Sequence, residues 1–98
     1  MTNTSDQYWV YILMNRGETV LYIGVTNDLR RRVGEHRRGE DEGFSKRYNL
    51  TKLVHAEPYP RSQDAIKREK QLKNWNRDWK LDLVREHNPD LDDLYGTL

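Results

Sequence analysis

Residues 8–25 read YWVYILMNRGETVLYIGV and contain two β-favouring runs on either side of a polar turn. The first run, residues 8–14, is almost continuously apolar and too short for a typical helix, which indicates a strand covered on both faces. The second run, residues 19–25, follows turn residues at 15–18. Two such runs at this separation predict a β-hairpin. We therefore expect the fold to begin with a hairpin.

The stretch after the hairpin predicts an arginine-rich helix. Thr26, Asn27 and Asp28 each carry a side-chain oxygen that can cap a helix N-terminus. Residues 29–38 (LRRRVGEHRR) follow, and Gly39 stops the helix. A helix over residues 29–38 is the expected third element.

Three further elements complete the predicted chain. Residues 51–57 (TKLVHAE) favour a short strand that ends before Pro58. A helix is expected from a cap at Ser62 to about residue 74, and another over residues 79–86 is closed by an Asn-Pro pair.

The resulting order, β-β-α-β-α-α, predicts an α/β (α+β) sandwich. Helices can cover both faces of a small three-stranded antiparallel sheet. We expect one domain across residues 1–98, with a core from about residue 8 to residue 94 and a flexible segment at residues 1–7.

Composition narrows the class of protein. Hydrophobic residues make up 35% and charged residues 34% of the chain, and there is no cysteine, which excludes disulfides and thiolate metal sites. The first residues lack the apolar segment of a signal peptide, and no apolar run reaches the length of a membrane span. We expect a cytoplasmic protein with no membrane partner and no organic cofactor.

The net charge of +1 at pH 7 hides an uneven charge distribution. Residues 28–38 contain five Arg and two acids, and residues 61–80 contain seven basic residues and three acids, whereas residues 81–98 contain five acids and one Arg. If the two basic segments share a face, that face attracts polyanions. The alternative is that both segments are ordinary solvated helix faces.

Glu69 has an unusual predicted position. In the helix expected after Ser62, Ile66 and Leu72 lie roughly 120° apart, and Glu69 falls midway between them on an apolar arc that includes Ala65. A carboxylate placed there needs a partner because burying an unpaired charge is costly. That partner is either Lys73, at the favourable i,i+4 spacing, or a metal ion.

Two residues of the arginine-rich helix stand close to its inward side. Leu29, Val33 and His36 form the predicted inward stripe, and Arg32 lies on its flank. A histidine near such a stripe is either structural or part of a site. Arg32 beside it favours an anion site, because guanidinium matches phosphate geometry.

Three residues of the predicted hairpin add to this picture. Tyr11 and Tyr22 lie on the two paired strands, where each is either a core residue or part of a site. Gly24 interrupts a strand, which often marks a bulge or a close backbone approach.

Together these segments resemble the GIY-YIG nuclease superfamily. Residues 9–11 (WVY) keep the tyrosine of the first motif, with Trp and Val in place of its Gly and Ile, and residues 22–24 reproduce YIG letter for letter. Residues 28–36 (DLRRRVGEH) are similar to the family's arginine helix, and residues 65–73 (AIKREKQLK) to its glutamate helix. The resemblance is greatest to stand-alone, single-domain bacterial members; more distant are the amino-terminal nuclease domain of the bacterial excinuclease and phage homing endonucleases.

The resemblance implies a magnesium-dependent endonuclease that hydrolyses phosphodiester bonds in DNA, in repair or recombination. It assigns catalytic roles to Tyr11, Tyr22, Arg32, His36 and Glu69, with Glu69 as the ligand of Mg²⁺, for which Mn²⁺ is the expected substitute. Arg32 would bind phosphate oxygens, Tyr22 would position or deprotonate the attacking water, and His36 would hold a tyrosine or relay a proton.

Outward-pointing cations are expected to bind the DNA backbone without reading its sequence. They are Arg30, Arg31, Arg37, Arg38, Lys46, Arg47, Lys67 and Lys70. The resemblance also aligns Asn88 with an asparagine found late in many members.

Two other functions remain open. One is a nucleic-acid-binding module that keeps the fold but cleaves little. The other is a partner-binding protein that reaches a repair complex through its acidic tail or through Trp75 and Trp79.

Overall fold

The computed structural model describes residues 7–40, 43 and 47–98, and expectations for residues 1–6 lie outside that part. The elements in chain order are β1 (Tyr8–Met14), β2 (Leu21–Thr26), α1 (Leu29–Arg37), β3 (Lys52–Tyr59), α2 (Ser62–Lys73), α3 (Arg77–His87) and a short 3₁₀ helix (Leu94–Thr97). The predicted order β-β-α-β-α-α is confirmed. No helix in the described part is long and apolar enough to cross a membrane.

The three strands form one antiparallel sheet in the order β2-β1-β3. β1 is central, and every residue from Val10 to Met14 is buried because helices cover both faces. Opposite residues of paired strands point to the same face of a sheet. Tyr11 pairs with Gly24 and Leu13 with Tyr22, so Tyr11 and Tyr22 share one face. The neighbouring β1 residue Ile12 lies on the other face.

Each face of the sheet carries its own core. Helix α1 packs on the face of Tyr11 through Leu29 and Val33, together with Leu50 and Leu53. Helices α2 and α3 pack on the other face. Among the described residues, the core on that face consists of Val10, Ile12, Met14, Ile23, Val54, Ala65, Leu72, Val84 and Leu91. The expected sandwich with helices on both faces is confirmed.

Two strand limits differ from the prediction. Strand β2 begins at Leu21 rather than Thr19, because the side chain of Asn15 accepts hydrogen bonds from the backbone N–H groups of Thr19 (2.9 Å) and Val20 (3.0 Å). These two residues therefore belong to the turn. Strand β3 runs through Pro58 to Tyr59. An edge strand tolerates proline because one row of its N–H groups has no sheet partner.

Helix limits differ in a similar way. Asp28 caps α1 by accepting a hydrogen bond from the N–H of Arg31 (3.2 Å). The expected Ser62 cap of α2 is wrong, because Ser62 is already helical and Arg61 stands before it without a side-chain cap. Helix α3 begins two residues earlier than predicted, because Asn76 accepts a hydrogen bond from the N–H of Trp79 (2.9 Å).

The buried face of α2 is rotated from the predicted one. Ala65 and Leu72 are fully buried, but Ile66 is 42% exposed. Ala65 and Leu72 are two helical turns apart and form the stripe that meets the sheet, whereas Ile66 lies about 100° further round the helix. Glu69 therefore lies on the flank of the buried stripe and not at the centre of an apolar arc.

Candidate active site

Tyr11, Tyr22 and His36 meet on the α1 face of the sheet. The hydroxyl of Tyr11 lies 3.0 Å from Nε2 of His36, and both residues are buried. The ring centroid of Tyr22 lies 6.3 Å from that of Tyr11 and 5.4 Å from that of His36. Tyr22 is only partly buried on edge strand β2. The cluster thus joins the buried Tyr11–His36 pair to one tyrosine, Tyr22, that reaches the surface.

Gly24 makes room for this cluster. A Cβ atom at Gly24 would lie 2.5 Å from both Cζ and Oη of Tyr11, far inside van der Waals contact. The Tyr11 ring therefore lies directly across the Gly24 backbone, and its hydroxyl reaches His36 over it. This close approach explains physically why the YIG segment has glycine at this position.

Arg32 lies one helical turn before His36 on α1, so both side chains leave the same side of the helix. Its side chain is 29% exposed, and Nη1 lies 3.1 Å from Oε1 of Glu35. The predicted inward stripe of Leu29, Val33 and His36 is confirmed by their burial.

Glu69 is on α2, one of the two helices on the opposite face. Its side chain is 19% exposed, and Oε2 lies 3.0 Å from Nζ of Lys73, whose side chain is 54% exposed. The sequence left either Lys73 or a metal ion as the partner of Glu69, and the structure contains the ion pair with Lys73.

The donor set limits which metal could bind at Glu69. No group of three or more His, Cys, Asp or Glu side chains is placed to hold a metal within residues 7–40, 43 and 47–98. A tetrahedral zinc site of protein ligands does not fit such a set. Mg²⁺ does, because it keeps several waters, takes substrate oxygens and accepts a single protein carboxylate.

A cavity at the β2 edge is lined by residues of β2, α2 and α3. It has a volume of about 280 Å³ and is lined by Tyr22 and Lys73, together with Leu21, Ile23 and Lys80. Tyr22 comes from the tyrosine cluster, and Lys73 is the ion-pair partner of Glu69. Within the described part of the chain, Tyr22 is thus the one candidate catalytic residue that lines this cavity, and Glu69 is joined to it through Lys73.

The four outward arginines of α1 and its C-terminal cap have partners within the chain. Arg31 pairs with Asp28 and Glu35, and Arg38 pairs with Glu40, whose carboxylate raises the pKa of the guanidinium. The others contact the C-terminal segment: Arg30 donates to the backbone oxygen of Leu98, and Arg37 bonds to Asp93 and to the backbone oxygen of Thr51.

The remaining backbone-binding candidates lie elsewhere. Lys67 and Lys70 line a cavity of about 660 Å³ on the outer side of α2, with Tyr59 and Arg68. The guanidinium of Arg47 lies 5.7 Å from the ring centroid of Tyr48. Lys46 lies outside the described residues.

Sequence reasoning missed a polar network under α2. The carboxylate of Glu57 accepts hydrogen bonds from Arg68 (2.9 and 3.2 Å) and the Tyr59 hydroxyl (2.9 Å), and lies 2.8 Å from Nε2 of His55. Burial alone would raise the pKa of Glu57, but the His55, Arg68 and Tyr59 hydrogen bonds lower it to about 2. The signal was present, because residues 55, 57 and 59 alternate along one strand and share a face.

Asn88 has a structural position. It is buried, and its amide donates to the backbone oxygens of Val54 (3.1 Å) and Asp92 (2.9 Å) while accepting from the N–H of Asp92 (3.0 Å). The bond to Val54 joins the end of α3 to strand β3, and the two bonds with Asp92 hold the segment that follows the helix.

Comparison with known proteins agrees with the fold and with the family that the motifs resemble. The family model described as the GIY-YIG catalytic domain matches residues 7–82. A UPF0213 protein of Haloquadratum walsbyi is 35% identical over 82 residues, which cover 84% of this chain and 91% of the relative. A UPF0213 protein of Staphylococcus aureus strain Mu3 is 35% identical over 81 residues, which cover 83% and 98%.

A solved structure is also similar. The solution NMR structure of a UPF0213 protein from Bacillus halodurans aligns with a TM-score of 0.57 and 25% sequence identity, covering 89% of this chain and 92% of that one. The match of the family model over most of the sequence, together with these relatives, shows that the chain belongs to the GIY-YIG family of nucleases.

Proposed function

We propose that this protein is a metal-dependent endonuclease that hydrolyses phosphodiester bonds in DNA, with repair or recombination intermediates as its substrates. The observation that carries the proposal is the tyrosine cluster. A buried Tyr11–His36 hydrogen bond supports Tyr22, which reaches the surface at the β2 edge. Family membership supports the reaction class, since GIY-YIG nucleases act on DNA.

In this proposal Tyr22 accepts the proton of the attacking water. Only the phenolate form of a tyrosine can accept a proton, and a nearby positive charge stabilises that form. Arg32 supplies such charge and binds the non-bridging oxygens of the phosphate as negative charge develops on them. His36 holds Tyr11 by the 3.0 Å hydrogen bond, and Tyr11 in turn contacts Tyr22.

Glu69 is the proposed ligand of Mg²⁺, with Mn²⁺ as a substitute. When bound, the ion would neutralise phosphate charge and stabilise the leaving oxygen. Lys73 competes with the ion for Oε2 of Glu69, and this competition costs about 0–1 kcal/mol because the lysine side chain is more than half exposed and such ion pairs are weak.

A second candidate function is a nucleic-acid-binding module with little cleavage. The Glu69–Lys73 ion pair favours it, because a carboxylate that already has a cationic partner needs no metal. The two functions differ in whether Glu69 is required for turnover.

The test is cleavage of end-labelled single-stranded, nicked and branched DNA with Mg²⁺, Mn²⁺ or EDTA. We expect metal-dependent cutting that Glu69→Ala abolishes and that Tyr22→Phe lowers by about 100-fold or more. Glu86→Ala, which removes an exposed glutamate from α3, is the matched control and should cut normally. Thermal unfolding of each variant shows that the fold is kept. If the wild type binds DNA but cuts none of the substrates with either metal, the endonuclease proposal is wrong and the binding module remains.

A further inference from the structure

The cavity at the β2 edge is lined by two lysines to which the reaction proposed above assigns no contact with the substrate. Lys73 is the last residue of α2, and Lys80 lies near the beginning of α3. Both line the cavity of about 280 Å³ beside Tyr22. Because they come from two different helices, only the tertiary fold brings them to the same place.

Lys80 is held in position by the start of its helix. The guanidinium of Arg77 donates hydrogen bonds to the backbone oxygens of Thr19 and Glu18, both at 2.8 Å. The side chain of Asn76 caps the same turn of α3. The first turn of α3, which ends at Lys80, is thereby fastened to the connection between β1 and β2.

The charge of the cavity suits a polyanion. The residues that line it in the described part of the chain include two ammonium groups and no carboxylate, and its other walls are Leu21 and Ile23. Glu69 neutralises Lys73 from outside this lining. A lysine ammonium binds phosphate as a point charge, and low-dielectric walls strengthen that attraction.

We propose that Lys73 and Lys80 bind backbone phosphate of the nucleic-acid strand where it passes the β2 edge beside Tyr22. The subsite deepens the proposed function and rests on it, because it places the strand next to the tyrosine that faces the surface. Lys80 contributes at all times, and Lys73 contributes when it leaves Glu69. The ligand chemistry is a phosphodiester backbone of any base sequence, because neither the lysines nor the apolar walls read bases.

The first test is the salt dependence of DNA binding in EDTA, measured by fluorescence anisotropy with labelled single-stranded DNA. Lys80→Gln should weaken binding several-fold and reduce the slope of log affinity against log salt by about 0.7, the value for one single-strand phosphate contact. Arg85→Gln is the control, because it removes the same charge from an exposed position on the same helix and should leave the slope unchanged. Equal slopes for Lys80→Gln, Arg85→Gln and the wild type would overturn the subsite.

The second test concerns Lys73. In EDTA, Glu69→Gln should tighten DNA binding several-fold by releasing Lys73, and Glu69→Gln/Lys73→Gln should lose that gain. Glu86→Gln controls for the general effect of removing a negative charge. A gain in Glu69→Gln that is no larger than in Glu86→Gln, or that survives in the double variant, contradicts the role of Lys73.

A footprint needs no variant and does not depend on cleavage. DNA should protect Lys73 and Lys80 of the wild type from acetylation, read by mass spectrometry, whereas an uncharged peptide nucleic acid of the same sequence should not. Unchanged acetylation of both lysines at saturating DNA would reject the subsite even if the protein cuts DNA. Protection together with lower slopes in a protein that never cuts DNA would support the subsite and reject the endonuclease proposal.

Discussion

At the scale of single residues, the contact between Gly24 and Tyr11 controls the geometry of the candidate site. The two residues are directly opposite on β2 and β1, and the Tyr11 ring fills the space that a side chain at position 24 would occupy. The Tyr11 hydroxyl reaches His36 only because this space is open. A change at position 24 therefore acts on the tyrosine cluster without removing any functional group.

Gly24→Ala should lower the free energy of unfolding by about 1–3 kcal/mol, because the added methyl group overlaps the Tyr11 ring. We expect DNA cleavage to fall as well, since the ring has to move away from His36. Urea unfolding and cleavage assays measure both effects. Gly96→Ala is the control, because within the described residues no atom beyond the adjacent ones lies within 4 Å of a Cβ at that position. Equal stability of the two variants would show that the ring is not held against the glycine.

Asn88 is a second residue whose position decides its role. Asn88→Ala removes three hydrogen bonds from a buried site and leaves the backbone oxygen of Val54 without this donor. We expect a loss of about 1–3 kcal/mol in the free energy of unfolding. DNA affinity of the folded variant should be unchanged. The exposed Asn74→Ala should be close to neutral in the same urea titration, and a comparable loss there would contradict the buried role of Asn88.

At the scale of elements, polar groups fasten α2 to the β3 edge of the sheet. Arg68 of α2 reaches the carboxylate of Glu57 on β3, and its guanidinium lies 5.2 Å from the ring centroid of Trp75. Glu57 is mostly buried, so its charge is stabilised by the three side chains that bond to it. One flank of α2 is thus held by an ion pair, while the other carries Glu69 toward the β2 edge.

The ion pair between Arg68 and Glu57 should make the free energy of unfolding depend on pH in the acidic range. The pKa of Glu57 is lowered from 4.5 to about 2 in the folded protein, so its contribution is complete above the unfolded pKa and is lost as the pH falls toward the folded pKa. Between about pH 5 and about pH 2, Glu57 should account for a loss of about 2 kcal/mol in the free energy of unfolding. At about pH 5, Glu57→Gln should have a lower free energy of unfolding than the wild type. Urea titrations should show that the variant loses less of this free energy between about pH 5 and about pH 2. Parallel pH profiles for the two proteins would contradict the lowered pKa.

At the scale of the whole molecule, the C-terminal segment closes onto the α1 side of the sheet. Asp93 bonds to Arg37 of α1 and accepts hydrogen bonds from the N–H groups of Leu53 and Tyr95, both at 3.1 Å. The Arg37 guanidinium also lies 4.5 Å from the ring centroid of Tyr95. One carboxylate therefore joins helix α1, strand β3 and the 3₁₀ helix, which are far apart in sequence.

Asp93→Asn should lower the free energy of unfolding by about 1–3 kcal/mol, because it removes the charged partner of Arg37 and weakens two backbone bonds. The exposed Asp90→Asn removes the same charge and should be within about 0.5 kcal/mol of the wild type. Chemical unfolding compares them. If both variants are equally stable, the C-terminal segment does not close the fold.

The sequence by itself determined the order of elements, because strand patterns, turn residues and capping side chains act over a few neighbouring residues. Residues 8–14 lie in a covered strand, Asp28 caps α1, and Leu29, Val33 and His36 face inward, all as expected. The motif residues indicated the GIY-YIG family, and the comparisons show that the chain belongs to it. Their catalytic roles, the metal at Glu69 and the backbone-binding cations stay predictions, to be tested as described above.

Only the tertiary structure decided which helix flanks are buried and which distant side chains meet. Ile66 looked buried from the pattern but is exposed, because the packing of α2 on the sheet selects the Ala65–Leu72 stripe. The Glu57 network and the cavity shared by Tyr22, Lys73 and Lys80 join residues from different elements. Such contacts depend on how helices rotate and settle against a sheet, and local sequence patterns do not encode that rotation to within one side chain.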